Sequence, residues 1–306
     1  MLSKVTVNVD VEQGITPSGT LEITENGEYD VTEYASANVN VESENDLPDW
    51  DDDSPIIISG QGINEHSTWE ITEKGTLKWK QTGLSTKANV GFDSVNVTGI
   101  LAYSNDFAKN AYKVRQVIID GEFKTCSIVG LPNCERIKIS SNAPSLAIAY
   151  TGLKELDLTF FTKMREYQCT ELFNLRDVIL NPSWVTLESY SFQRCVSLKN
   201  INLENITTFN RNSMEETMAL EQVIFSANLL AINQRAFYRS GITSAIFLNA
   251  TDNLPTIAND AFHQASQLKD IYVPWAEGEV ANAPWGATNA TIHYNTTYDE
   301  NHNPIV

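Results

Sequence analysis

Basic residues are scarce in this chain. Lys and Arg together number 21 against 39 Asp and Glu, which gives a formal net charge of −18. Such a surface repels nucleic-acid phosphates and anionic lipid headgroups, so we expect no nucleic-acid partner. The acidity can equally serve only to keep the protein soluble.

Long apolar runs are also missing. No stretch of eighteen apolar residues occurs, which argues against a membrane-spanning helix, and we expect no membrane insertion. The opening residues MLSKVTVNVDVEQG alternate apolar and polar side chains. They lack the continuous apolar core of a secretory signal, so we do not expect export by that route.

Motifs that carry chemistry are absent as well. There is no glycine-rich phosphate loop, no HExxH and no nucleophile elbow, and the four His residues are scattered. The many carboxylates are no evidence for hydrolysis, because no cleft is predicted. We therefore predict no enzyme, no cofactor and no metal site. No CxxC pair occurs, and we expect the three cysteines that occupy repeat positions to be small buried thiols: Cys134, Cys169 and Cys195.

What the chain does contain is an internal repeat. Eight segments share the order apolar, two variable residues, apolar, one variable residue, apolar. Their middle apolar residues are Val117, Ile137, Leu156, Val178, Ile201, Val223, Ala245 and Ile271. The later segments carry another apolar residue upstream, at Cys169, Phe192, Met214, Phe237 and Phe262. The near-constant spacing falls within the range of leucine-rich repeats.

The closing pattern of each repeat predicts a strand. Alternation directs Ile201 and Leu203 inward and Asn200 and Asn202 outward. Ordering one repeat costs about 30 kcal/mol, whereas burying its five large side chains returns only about 10 kcal/mol, so a repeat is stable only when stacked. The expected fold is mainly β with short helical or irregular segments: a leucine-rich-repeat solenoid of about eight strand repeats, preceded by small β modules. The upstream aromatic or Met should fill the core from the opposite wall.

The wording of the repeat resembles the BspA-like leucine-rich-repeat family over about residues 110–275. The resemblance lies in Phe192-QRCVSLKNINL, Ala236-Phe237 and Ala261-Phe262-HQASQLKDIYV. Cys169 and Met214 stand where the family usually has Phe. Family members are typically surface or secreted adhesion and recognition proteins, so the resemblance implies binding and not catalysis.

The rest of the chain divides by composition. We predict a small β module at 1–42 with a turn at Asn26-Gly27, and a β N-terminal cap at 56–110. The solenoid follows at 111–273 and a C-terminal cap and tail at 274–306, where Trp275 and Trp285 form cap core or a sugar-stacking site. Residues 43–55 are rich in acids and prolines and predict an extended linker; they lack the ligand spacing of a calcium loop.

Residues Gly19 to Glu42, GTLEITENGEYDVTEYASANVNVE, are similar to a segment that recurs in phage tail and baseplate proteins. The alternative is a generic β-hairpin. The resemblance implies docking to other tail or baseplate proteins through residues 1–42, a virion location after assembly in the host cytoplasm, and a homo-oligomer on the particle. The solenoid would then recognise a host surface protein or glycan. The alternatives are a bacterial BspA-like surface adhesin or a purely structural virion protein.

The candidate binding site is the outward row of the predicted strands. Its residues are Lys154, Glu155, Asp157, Arg176, Asp177, Ile179, Asn200, Asn202, Gln222, Ile224, Ile246, Asp270 and Tyr272. Ile179, Ile224 and Ile246 would form an apolar line facing water, and three such residues in register would make one patch. The alternative is that a β face tolerates Ile for its propensity, or that another part of the particle covers it.

Overall fold

The computed structural model describes residues 8–9, 39–40, 47–61, 67–81, 110–121, 126–139, 146–161 and 166–305. The chain divides into two compact units, Met1–Leu47 and Pro48–Val306. In the first unit, β1 (Asn8–Val9) pairs antiparallel with β2 (Val39–Asn40). The predicted turn at Asn26-Gly27 and most of the phage-like segment lie outside the described residues.

The second unit is built from short strands. They are β3 (Ile56–Gln61), β4 (Ser67–Thr72), β5 (Thr76–Gln81), β6 (Gln116–Asp120), β7 (Cys126–Val129), β8 (Arg136–Ile139), β9 (Leu146–Ala149), β10 (Glu155–Asp157), β11 (Cys169–Thr170), β12 (Asp177–Ile179) and β13 (Thr186–Leu187). They continue as β14 (Asn200–Ile201), β15 (Thr208–Phe209), β16 (Gln222–Phe225), β17 (Ala231–Ile232), β18 (Ser244–Phe247), β19 (Thr256–Ile257), β20 (Asp270–Tyr272), β21 (Thr291–His293), β22 (Thr297–Tyr298) and β23 (Pro304–Ile305). A 3-10 turn at Ala111–Lys113 precedes β6.

The predicted N-terminal cap is a sheet that starts the solenoid. Strands β3, β4 and β5 pair antiparallel, and β5 then pairs parallel with β6. A hairpin turn joins β4 to β5: Gly75 has φ +92, and its N–H donates to the Thr72 carbonyl at 3.1 Å. A Cβ at this position would also lie 2.4 Å from the Lys113 carbonyl, so glycine is required twice over.

The eight predicted strands are all present and form one wall of the coil, which we call the strand wall. It consists of three parallel sheets with the orders β5-β6-β8, β10-β12-β14 and β16-β18-β20-β21. The predicted stacking is seen in the register, where Val178 pairs with Leu156 on one side and Ile201 on the other. The fold is a mainly β leucine-rich-repeat solenoid of about seven turns.

Two junctions in the strand wall lack ladder pairs among the described residues: β8 to β10 and β14 to β16. Ion pairs cross both. Lys154 Nζ lies 2.7 Å from Glu135 Oε2, and Lys199 Nζ lies 3.7 Å from Glu221 Oε1. Burial alone would raise the pKa of Glu135, but its contacts with Lys154 and Arg115 hold that pKa below its ordinary value.

Two further walls close each later turn. The short-strand wall is the parallel sheet β13-β15-β17-β19. The turn wall begins as β7-β9-β11 and continues as tight turns bonded between neighbouring coils. The predicted upstream apolar residues are the inward residues of the turn wall and are fully buried: Cys169, Phe192, Met214, Phe237 and Phe262. Ile128 and Ile148, which were not predicted, occupy the same position in the earlier turns and are fully buried as well.

The interior is aromatic in its later turns. Phe225 of the strand wall lies 5.3 Å from Phe209 and 5.6 Å from Phe237, centroid to centroid, so rings from all three walls meet. Cys134, Cys169 and Cys195 are buried and free, which confirms the prediction of buried thiols. Burial raises the pKa of the Cys134 and Cys195 thiols to about 12.

The acidic segment was predicted to be an extended linker, and for residues 48–54 that prediction is wrong. These residues, which we call the clasp, lie across the outer side of β5, β6 and β8. Asp52 is buried, and its carboxylate accepts from the Thr72 and Thr76 hydroxyls at 2.6 and 2.5 Å. Gln116 donates to the Asp49 carbonyl at 3.0 Å, and Arg136 donates to the Pro48 carbonyl. The acidic composition indicated charge repulsion, but the residues that bond to the clasp lie far from it along the chain: Thr72, Thr76, Gln116 and Arg136.

The C-terminal segment extends the strand wall, because β21 pairs parallel with β20. Trp275 and Trp285 are buried against Phe247, at 5.3 and 6.2 Å, which confirms cap core and excludes exposed sugar platforms. Within the predicted tail, β22 and β23 form an antiparallel hairpin. Asp299 closes it by accepting from the backbone N–H groups of Asn301 and Asn303, both at 2.8 Å.

No helix within the described ranges has the length and apolar character needed to cross a bilayer.

Candidate binding surface

The outward side of the strand wall, which we call the outer strand face, carries two rows of side chains in register. One row is Glu155, Asp177 and Asn200 followed by Gln222, Ser244, Asp270 and Thr291. The other is Asp157 and Ile179, then Asn202, then Ile224, Ile246, Tyr272 and His293. Except for Ser244, Thr291 and His293, all of these residues were predicted from sequence for this face. Two other predicted residues, Lys154 and Arg176, precede β10 and β12 and lie outside both rows.

Polar residues of the first row bond to one another. Asn200 Nδ2 donates to Asp177 Oδ1 at 2.5 Å, and Gln222 Nε2 donates to Ser244 Oγ at 3.1 Å. These bonds run along the ladder and order the side chains before any ligand arrives. A partner that used these groups would have to share or replace those hydrogen bonds.

The predicted apolar line is interrupted. Ile179 is 55% exposed, but Asn202, directly after β14, follows it and accepts a hydrogen bond from the Leu180 N–H at 2.7 Å. Ile246 is only 2% exposed, so the expectation that it faces water is wrong. The register places Ile246 between the half-buried Ile224 and Tyr272, which cover it from both sides.

The C-terminal end of the face is a closed cluster. The Tyr272 ring stacks on His293 with centroids 4.5 Å apart, and His293 Nε2 lies 2.9 Å from Asp270 Oδ1. Burial, with the Asp270 charge adding to it, raises the pKa of Tyr272. Tyr272, His293 and Asp270 therefore form a cluster held together by contacts with one another.

The open part of the outer strand face lies around β10 and β12. Phe160 is 77% exposed, and Ile179 on the next turn is exposed as well. Arg176 is also exposed, and none of the described carboxylates forms an ion pair with it. Apolar side chains are thus exposed on two consecutive turns, Phe160 on the first and Ile179 on the second. The exposed Arg176 guanidinium lies on the second turn. Groups of three or more His, Cys, Asp or Glu able to hold a metal are not found among the described residues.

Sequence reasoning missed a second organised surface on the turn wall. Most of these turns have two residues with positive φ. The later of the two, with φ between 53° and 59°, is Tyr150, Glu171, Arg194, Glu216, Arg239 or Gln264. Backbone bonds link these turns, as in Arg194 N–H to the Glu215 carbonyl at 2.8 Å. The left-handed region favours glycine, so six large side chains there are notable.

Ion pairs join these positions into a row that we call the charge ladder. Arg194 Nη1 lies 3.2 Å from Glu171 Oε1, and Arg194 Nε lies 3.4 Å from Glu216 Oε2. Arg239 Nη1 lies 3.3 Å from Glu216 Oε1, and Arg239 Nε donates to Gln264 Oε1 at 2.9 Å. The Glu216 and Glu171 carboxylates raise the pKa of Arg194. The charge ladder could have been found from the sequence, because each of its residues stands two positions after the buried apolar residue of its turn.

The profile of the BspA type leucine rich repeat region matches residues 150–282 in six copies. Residues 150–282, less than half of the chain, are thus similar to BspA-type leucine-rich repeats. The matched range contains both the open part of the outer strand face and the charge ladder. The earlier strands β6 and β8 precede the matched range, yet they continue the same kind of parallel wall.

Three solved structures illustrate what the chain is similar to. A leucine-rich repeat protein from Bacteroides ovatus is 13% identical with a TM-score of 0.41, over 60% of this chain and 54% of that one. The pneumococcal vaccine antigen PcpA is 8% identical with a TM-score of 0.29, over 78% and 100%. A leucine rich cell surface protein from Faecalibacterium prausnitzii is 13% identical with a TM-score of 0.20, over 80% and 96%. No curated protein matches the chain.

Proposed function

We propose that this chain is a recognition protein that binds a macromolecule of a cell surface through the outer strand face, without catalysing a reaction. The observation that carries the proposal is the exposure of Phe160, Ile179 and Arg176 on neighbouring turns of a rigid BspA-type repeat. Aromatic, apolar and Arg side chains are the types enriched in binding hot spots.

The remaining residues of the site support such a contact without dominating it. Asp177, Asn200, Asn202 and Gln222 are already ordered by ladder bonds, so a ligand would lose little side-chain entropy in meeting them. Asn202 separates Ile224 from Ile179, and Ile246 and Tyr272 contribute to the packing of the face. Both a surface protein and a glycan fit this mixture of apolar and hydrogen-bonding groups.

Two carriers are compatible with this role. BspA-like repeats favour a bacterial surface protein that adheres to another cell. The segment Gly19 to Glu42 favours a phage tail or baseplate, with residues 1–42 docked on tail proteins and the host cell recognised by the solenoid. If the carrier is a phage, the protein could instead be a purely structural virion protein that binds no ligand. Cell fractionation and immunogold labelling would separate the carriers.

The binding role is tested with the labelled full chain on a panel of intact bacterial and mammalian cells. Ile179→Asp should lower the bound fraction at least tenfold, because a charged carboxylate would be buried at the contact. Leu230→Asp is the matched control: Leu230 is 58% exposed on the short-strand wall and should bind as wild type. Absence of binding to every cell type, or equal binding by Ile179→Asp, would overturn the proposal.

A further inference from the structure

The turn wall has the composition of a protein interface. Its segments are 166–174, 188–197, 210–219, 233–242 and 258–267, and they contain four Arg but no Lys. Exposed Tyr167, Phe173 and Met218 lie in the same segments. Interface cores are enriched in Tyr, Phe, Met and Arg and depleted in Lys, and these segments share that bias, although they also contain five Glu and one Asp.

The charge ladder has a symmetry that selects one kind of partner. Along the coil its four charged members read Glu171, Arg194, Glu216, Arg239, so the signs alternate over an even number of positions. Reversing such a row places every acid opposite a base. A second copy related by a twofold axis that crosses the ladder between Arg194 and Glu216 therefore meets opposite charge at every rung.

The rows beside the ladder match under the same operation. Two positions after each rung the residues are Phe173, Val196, Met218 and Gly241. Reversal sets Phe173 opposite Gly241 and Val196 opposite Met218. A large exposed ring thus meets the one position without a side chain, and two apolar residues meet each other.

The row four positions before each rung also matches. It reads Tyr167, Tyr190, Asn212 and Arg235. Tyr167 and Tyr190 stack with centroids 4.5 Å apart and planes 4° from parallel, which leaves a flat ring surface on Tyr167. Reversal sets Arg235 of the second copy opposite Tyr167, and Asn212 opposite Tyr190, so this row brings no like charges together.

We propose that the turn wall is a self-complementary interface through which two copies of this chain form an antiparallel twofold dimer. From Tyr150 to Gln264 the wall extends over five steps of about 4.8 Å, about 24 Å in all. That length accommodates the patch of about 800 Å² per partner that a stable dimer requires. The outer strand faces of both copies stay free, so the dimer is independent of ligand binding.

The first test is the mass of the full chain in solution by light scattering and sedimentation. Wild type should be a dimer. Met218→Asp, which sets a carboxylate against Val196, should raise the dissociation constant by roughly a hundredfold. Phe173→Glu is the second variant should the first fail to fold, and Leu230→Asp is the control that stays dimeric. A monomeric wild type, or dimeric folded Met218→Asp and Phe173→Glu, would overturn the proposal.

The second test inverts the whole ladder with Glu171→Arg, Arg194→Glu, Glu216→Arg and Arg239→Glu together. The inverted chain keeps alternating charges within itself and opposes its own copy correctly, so it should still dimerise. Paired with wild type, however, every rung meets its own sign. Mass-tagged mixtures should therefore contain few mixed dimers; a statistical share of mixed dimers would contradict the twofold pairing, as would an inverted chain that folds but is monomeric.

Discussion

The guanidinium carbon of Arg136 lies 4.0 Å from the ring centroid of Trp50, eighty-six positions earlier in the chain. The same Arg donates to the Pro48 carbonyl and, through Nε, to Gln116 Oε1 at 2.8 Å. One side chain of the strand wall thus holds both the ring and the backbone of the clasp. The outer face of the first strands is covered by the chain itself, which leaves the open face to begin at β10.

We expect Arg136→Ala to release the clasp. The substitution removes the cation–π contact and a charge-assisted hydrogen bond, together worth about 2 kcal/mol. Trp50 emission should shift to longer wavelength, and limited proteolysis should cut within residues 48–54. Lys113→Ala, an exposed residue of the 3-10 turn, is the control and should leave both readouts unchanged. Unaltered emission in Arg136→Ala would show that the clasp is held elsewhere.

We expect the clasp to weaken at low pH through Asp52. Burial raises the pKa of this carboxyl, but the hydrogen bonds from Ser54, Thr72 and Thr76 outweigh it and hold the pKa well below the ordinary value. A depressed folded pKa means that the stabilisation is complete above the unfolded pKa of about 4 and is lost as pH falls below it. Urea melts should show Asp52→Asn less stable than wild type by about 2 kcal/mol at pH 7, with the gap narrowing as pH falls from about 4 toward the depressed folded pKa. A gap independent of pH would refute this.

We expect the charge ladder to stabilise the coil modestly and in a salt-dependent way. Glu216→Ala removes the partner shared by Arg194 and Arg239 and should cost about 1 kcal/mol at low salt, less at high salt, because both Arg side chains are half exposed. Glu204→Ala removes an exposed acid for which the structure gives no ion pair, and it should be neutral. Equal effects at both salt concentrations would assign the loss to packing and not to charge.

We expect the aromatic interior to carry more stability than any surface feature. Phe237→Ala removes a fully buried ring that packs on Phe209, Phe225 and Phe262, and it should cost about 3–5 kcal/mol in the free energy of unfolding. Met214→Leu keeps nearly the same volume at the equivalent position of the neighbouring turn and should cost less than about 1.5 kcal/mol. Similar losses in both variants would contradict the three-wall core.

The repeat could be predicted from sequence because the buried position of each turn must be apolar, so apolar residues recur with the period of the coil. Val178 and Ile201 are apolar because they face the interior, and their spacing fixes one strand per turn. The conformation of Arg194 could not be predicted in this way, since nothing about an Arg indicates positive φ. Only the stack of tight turns imposes that conformation on one residue after another.

The sequence predicted which way the side chains of the candidate site point, but not which of them are covered by their neighbours. Alternation correctly turned Ile179 and Ile246 outward, yet only Ile179 is open, because exposure depends on the side chains of the adjacent strands. The clasp was missed for a related reason. Local composition around Asp52 indicates repulsion, and its partners Thr72 and Thr76 become visible only once the strands are paired.

The most direct test of the binding role is hydroxyl-radical footprinting of the full chain on cells that bind it. Binding through the outer strand face predicts that Phe160 and Ile179 lose most of their oxidation on cells, while Leu230 on the short-strand wall is oxidised as in free protein. Protection of Leu230 with Phe160 and Ile179 still fully oxidised would contradict the account.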